Sequence, residues 1–210
     1  MDIAILIFDR ITALDAVGPY EVLSRLPGAR VTFVAAAPGQ YRTENGMLAL
    51  TADRAFGELP HPEVILIPGG FGTRALINDE PTLEWIREAD KTTEFTTSVC
   101  TGSLLLGATG LLAGRQATTH WMVLEKLREF GAEPVSERIV EQGKLIMAAG
   151  VSAGIDMALL LAARIAGDEV AQAIQLGIEY DPQPPFNSGS TKTAPPAIVE
   201  LVRARADQFA

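Results

Sequence analysis

The 210 residues hold one cysteine, Cys100, and two histidines, His61 and His120. A lone cysteine forms no internal disulfide, no thiolate metal cluster and no dithiol redox couple within the chain. Two histidines are too few for a histidine-rich metal site. Basic residues number 17 against 26 acidic ones, a formal charge of -9. Phosphate binding needs a basic surface, so no nucleic-acid partner is expected. No apolar run reaches the roughly 18 residues of a membrane span. The stretch "IAILIF" near Met1 is too short, begins too early and lacks the basic flank of a signal peptide. The expectation is a soluble cytoplasmic protein with no membrane partner.

What the chain does have is apolar mass. Hydrophobic residues make up 48% and charged residues 20%, a globular and not a disordered composition. The length suits one domain, 1–210, with a full core. Short continuous apolar runs at 2–8, 30–37, 63–67 and 94–99 read as strands buried on both faces. A shorter alternating stretch, 46–53, reads as a strand too, as do 115–120 and a pair within 136–150 that turns at Gln142-Gly143. Helical patterns lie between them: 14–26 with Pro19 suited to its first turn, 81–90, 101–112, and 121–131 with a glycine stop. Further helices are read at 153–167 (almost wholly apolar, hence buried), at 168–180 behind an Asp cap, and at 197–209 after a long proline-rich loop, 181–196. Alternating strands and helices indicate a single α/β domain with a mostly parallel central sheet.

In such a sheet, sites form beyond the carboxyl ends of the strands. Three stretches should therefore meet: 15–21 after the first strand, "PGGFG" at 68–72, and Cys100–Gly102 after "FTTSV". A free cysteine is often inert packing. Cys100, however, sits at a strand-to-helix junction followed by Thr-Gly-Ser, small residues that permit a sharp elbow with an exposed nucleophile. The following helix should aim its amide groups at the sulfur and lower its pKa. Gly69 and Gly70 read either as an ordinary turn or as an oxyanion site where backbone amides approach a substrate. Asp15 is either a helix N-cap or an acid–base group whose pKa is raised by apolar neighbours. Glu21 is a further carboxylate candidate, or a solvated helix charge. His120 ends a strand and is either a Cys–His partner or a structural histidine. His61, between prolines, reads as a surface loop residue.

The segments "FDRITALDAVGPYEVL", "VILIPGGFG", "SVCTGSLLLGATGLLAGRQATTHW", "AGVSAGIDMAL" and "YDPQPPFNSGS" together resemble the ThiJ/PfpI superfamily, a class I glutamine-amidotransferase-like group. Within it they are most similar to the isocyanide (isonitrile) hydratase branch. The resemblance implies a flavodoxin-like three-layer sandwich, a homodimer and no metal or organic cofactor. It implies Cys100 as nucleophile at the elbow, Asp15 as the acidic residue and Thr101 as the residue that follows the nucleophile in that branch. Gly69 and Gly70 match the backbone facing the cysteine, and Gly150 and Val151 the loop covering the site. Protease-like relatives carry His where this chain has Thr101. Related transcription regulators carry a helix-turn-helix domain beyond the sensing domain, where this chain stops at Ala210. The implied reaction is hydration of a small apolar isocyanide to an N-substituted formamide through a cysteine thioimidate. Alternatives are a glyoxalase- or deglycase-like enzyme acting on α-oxoaldehydes, and a non-enzymatic ligand or oxidation sensor.

Overall fold

The structure is a computed structural model that describes residues 1–205. Its strands are β1 (Asp2–Leu6), β2 (Arg30–Ala35), β3 (Gly39–Arg42), β4 (Ala49–Ala52), β5 (Arg54–Ala55), β6 (Val64–Ile67), β7 (Phe95–Val99), β8 (Gln116–Ala117), β9 (Glu133–Pro134), β10 (Ile139–Gln142) and β11 (Leu145–Ala148). Its α-helices are α1 (Ala13–Leu23), α2 (Thr73–Leu76), α3 (Glu80–Asp90), α4 (Gly102–Ala108), α5 (Ala153–Ala166), α6 (Asp168–Gly177) and α7 (Pro196–Ala204). The end of the expected last helix, 206–209, lies outside the described residues.

Seven strands form the central sheet in the order β10-β11-β7-β6-β1-β2-β5, parallel throughout except for β10. The fully buried runs Val64–Ile67 and Ile3–Leu6 sit in adjacent strands, with Ile3 opposite Val64 and Ile5 opposite Leu66. Both faces of these strands are covered by helices, which is why their sequences are apolar at every position and do not alternate. From β1 the chain crosses to β2 on one side, and later enters β6 on the other. The divergence at β1 and β6 opens a crevice at their carboxyl ends, and β7 delivers Cys100 to the same edge.

Several expectations are corrected. Pro19 lies inside α1 and not in its first turn, because the helix starts at Ala13 and its first turn carries Asp15. The ring is accommodated where α1 packs on α5: a Cβ on Gly154 would stand 3.3 Å from Pro19 Cγ. The expected strand 115–120 shrinks to β8, which pairs with β9 in a small separate sheet. The expected helix 121–131 is a 3₁₀ segment, Trp121–Phe130, kinked at Val123 and stopped by Gly131 at φ 74°. The strand read at 46–53 is β4, and it pairs with β3, which the sequence pattern did not single out. No helix of the described residues is long and apolar enough to cross a membrane.

The elbow depends on one close approach. A Cβ on Gly102 would lie 1.9 Å from the Ile67 carbonyl oxygen, inside any permissible contact. Gly102→Ala therefore has to push α4 away from β6, and overpacking of this kind costs about 3 kcal/mol. Urea unfolding checks this against Gly57→Ala, at a glycine without a positive φ whose added Cβ meets nothing within 4 Å. Equal stability of the Gly102→Ala variant and the parent chain would contradict this packing.

Candidate active site

Cys100 follows β7 directly and adopts φ 57°, a left-handed conformation that costs a non-glycine residue roughly 1–2 kcal/mol. Hydrogen bonds hold it there. Its N–H donates to Ala148 O at 3.0 Å, and its carbonyl accepts from Thr119 Oγ1 at 2.8 Å and Ser103 Oγ at 3.2 Å. The strained turn aims the thiol away from the sheet and into a cavity of about 260 Å³ lined by Thr12, Gly70, Phe71, Leu104, Met122 and Val151, among others.

Asp15 reaches the same point from α1. It is fully buried, and Oδ2 accepts a hydrogen bond from the Gly69 N–H at 2.9 Å. Oδ1 is buried with no well-formed hydrogen bond, although the Cys100 thiol lies within hydrogen-bonding reach of the carboxyl. Burial pushes the Asp15 pKa up to about 8, against the opposing pull of the Gly69 amide. At neutral pH the carboxyl therefore holds a proton. Because Oδ2 already accepts from an N–H, that proton belongs on Oδ1, the oxygen left without a partner.

Burial also pushes the Cys100 thiol well above its ordinary value, and the adjacent Asp15 carboxyl adds to the rise. The Thr101 N–H, which bonds the sulfur, works in the opposite direction and does not prevail. The expectation of a helix-stabilised thiolate is therefore corrected. A helix of seven residues supplies little field against complete desolvation.

The two glycines also act differently from the expectation. The Gly69 N–H is committed to Asp15 and the Gly70 N–H to Thr101 Oγ1 at 2.9 Å, so neither stands free as an oxyanion donor. They orient the acid and the hydroxyl instead. The fit requires glycine: a Cβ on Gly69 would be 2.5 Å from Thr101 N and 2.8 Å from Asp15 Oδ2, and Gly70 adopts φ 134°. Thr101 Oγ1 also lies 3.1 Å from Thr73 Oγ1.

His120 lines the cavity with Cys100, but no hydrogen bond joins its ring to the thiol among the described residues. Burial lowers its pKa, which disfavours the charged imidazolium. Val151 also lines the cavity. Gly150 lines a neighbouring cleft of about 550 Å³ that shares His120 and Val151 with it. Glu21 is not brought to the site. It is exposed and paired with Arg25 at 2.7 Å. Thr119, Glu44, Arg74 and Lys126 were not anticipated. Glu44, Arg74 and Lys126 bring charge to a cavity expected to be apolar. Glu44 arrives through the β3–β4 hairpin, tied to the site by Glu44 N–H to Ile11 O at 3.1 Å and by Thr12 Oγ1 donating to Glu44 Oε2 at 2.9 Å. The Asn45-Gly46 pair, with Gly46 at φ 72°, was the sequence signal for that hairpin turn. Among the described residues, no group of three or more metal-ligating side chains gathers.

Known proteins resemble this chain in sequence and fold. The chain is 45% identical over 206 residues to an isonitrile hydratase from Pseudomonas putida, covering 98% of this chain and 90% of that one. It is 30% identical over 163 residues to the transcriptional regulator CdhR of Pseudomonas aeruginosa, covering 75% of this chain but 48% of the regulator. A crystal structure of a ThiJ/PfpI family protein from Pseudomonas syringae superposes with a TM-score of 0.92 at 40% identity, covering 97% of this chain and 86% of that one. Drosophila melanogaster DJ-1beta, 18% identical with a TM-score of 0.77, shares the fold. Residues 1–164 match the DJ-1/PfpI family, and the chain belongs to it.

Proposed function

We propose that this protein hydrates isocyanides to N-substituted formamides, with Cys100 as nucleophile and Asp15 as the proton-transfer group. The observation that carries the reading is a fully buried carboxyl with one unpartnered oxygen, within hydrogen-bonding reach of the only thiol of the chain and pushed by burial to a pKa of about 8. The similarity to an isonitrile hydratase over nearly the whole chain supports the same chemistry.

An isocyanide, R–N≡C, carries a lone pair on its terminal carbon. Asp15 Oδ1–H protonates that carbon, which makes it electrophilic. The sulfur of Cys100 then forms the S–C bond while its proton passes to the Asp15 carboxylate. The product is a thioimidate, R–N=CH–S, and Asp15 is again protonated. In the second half Asp15 protonates the imine nitrogen and takes a proton from the attacking water. Collapse of the tetrahedral species breaks the C–S bond, forms the formamide C=O and returns a proton to sulfur through Asp15. A thiol with a high pKa suits this sequence, since acid and nucleophile are unmasked together by the substrate. Thr101, held by the Gly70 N–H, positions the attacking water or the substrate nitrogen. The substituent R lies against Phe71, Leu104, Met122, Val123 and Val151.

Conversion of a simple alkyl or aryl isocyanide, followed by ultraviolet absorbance, tests the activity beside a parallel methylglyoxal assay. Turnover of methylglyoxal without turnover of isocyanide would overturn the proposal. Cys100→Ala should abolish formamide production. Asp15→Asn should lower kcat by about 10²–10⁴, the range of general acid–base catalysis, and an unchanged rate would remove Asp15 from the mechanism.

The pH dependence has a definite sign. Asp15 must be protonated, so activity should hold on the acid side and fall as pH rises through about 8. An enzyme with a preformed thiolate would show activity rising over that range.

Stability follows the same titration. The folded pKa of Asp15 is raised from 3.8 to about 8, so the cost of ionising it in the core sets in above the former and is complete above the latter. Asp15→Asn removes that cost. Its stability relative to the parent chain, read from urea unfolding, should increase between pH 5 and pH 9. A pH-independent difference would contradict the burial of a titrating acid.

A further inference from the structure

The Cys100 cavity gathers more cations than acids, Glu44 being the one acid in its wall. Arg74 and Lys126 line it, and Arg10 adjoins it. None of the three forms an ion pair among the described residues, whereas Arg25, Arg30, Arg87, Arg138 and Arg164 each hold a carboxylate. In a chain of charge -9, unpaired cations converging on one cavity are against the trend of the surface.

Two of the three are fixed in place. The Arg74 guanidinium lies 4.2 Å from the centroid of the Phe71 ring and that of Arg10 lies 5.0 Å from it, as cation–π contacts. Phe71 is itself buried and lines the cavity beside Gly70. The one acid in the cavity wall, Glu44, accepts from Thr12 Oγ1 and makes no ion pair with Arg74 or Lys126. The cavity wall therefore carries two cations against one acid, and the rest of it includes apolar Leu104, Val123 and Val151. The volume, about 260 Å³, is close to nine water-sized volumes of about 30 Å³ and admits only a short substituent.

We propose that Arg74 and Lys126 are specificity-determining residues that bind an anionic group on the substrate, so that the favoured substrates are small isocyano carboxylates or isocyanides ending in an equivalent anion. The proposal rests on the isocyanide reading of the same site and names the substrate class within it. The isocyano carbon meets Cys100 and Asp15, a short apolar stem crosses the cavity, and the anion meets Arg74 and Lys126. Glu44 sets a limit, since it disfavours an anion placed beside it.

The test compares isocyanoacetate with isocyanoacetamide, a charged and a neutral probe of nearly equal size. The parent protein should favour the carboxylate by about tenfold in kcat/KM, the size of one good charge contact. Arg74→Gln/Lys126→Gln should bring the ratio close to one, mainly through KM. Arg54→Gln/Arg115→Gln makes the same change in net charge on exposed residues outside the cavity and should retain the preference. Arg74→Lys, which keeps the charge, should retain most of it.

A second readout does not need isocyanide turnover. Alkylation of Cys100 by iodoacetate relative to iodoacetamide, followed by intact mass, should fall about tenfold in Arg74→Gln/Lys126→Gln relative to the parent protein and stay level in Arg54→Gln/Arg115→Gln. Absence of isocyanide turnover in the parent protein would overturn the hydratase reading alone, and the alkylation ratio would still decide the anion site. Equal ratios in the two double variants, in either assay, would overturn it.

Discussion

The burial of the Asp15 carboxyl against the Cys100 thiol is the contact on which the rest of the site depends. Neither group keeps its solution chemistry there. Desolvation raises both pKa values, and each ionised form would further penalise the other. The stable resting state is two neutral acids side by side, one of which has an oxygen without a settled hydrogen bond. Such a pair is costly to build and chemically poised, because a substrate that accepts one proton releases the nucleophile in the same event.

The surrounding backbone is arranged to hold this pair. Three adjacent strands, β7, β6 and β1, end at one edge of the sheet and deliver the thiol, the glycine loop and the acid. Gly69 and Gly102 permit backbone approaches that no side chain would allow, and Cys100 accepts a strained φ so that its sulfur faces the cavity. The strain is locked by Thr119 and Ser103, whose hydroxyls hold the Cys100 carbonyl. Local cost at the elbow is thus offset by hydrogen bonds, of which those to Thr119 and Ala148 come from distant parts of the chain.

Much of this was legible in the sequence because it is carried by local patterns. Continuous apolar runs placed β1, β2, β6 and β7, and small residues after Cys100 indicated the elbow. Asp15 stood out as a carboxylate among apolar neighbours, and its burial in the fold raises its pKa. What escaped was set by tertiary contact. The helix-terminus argument for a thiolate failed because burial outweighed it, and burial is not a local property. The commitment of the Gly69 and Gly70 amides to Asp15 and Thr101 depends on three loops meeting. Glu44, Arg74 and Lys126 come from separate elements, and only the folded chain places them around one cavity. Glu21, by contrast, is a helix residue of the same segment as Asp15 that the fold turns outward.

Titration of the Asp15 carboxyl by carbon-13 NMR, in protein labelled at aspartate and assigned through Asp15→Asn, reads the central contact without any substrate. A midpoint near 8 is expected, moving when Cys100 is replaced by alanine. A midpoint near the ordinary aspartate value of about 3.9, unmoved by that replacement, would contradict it.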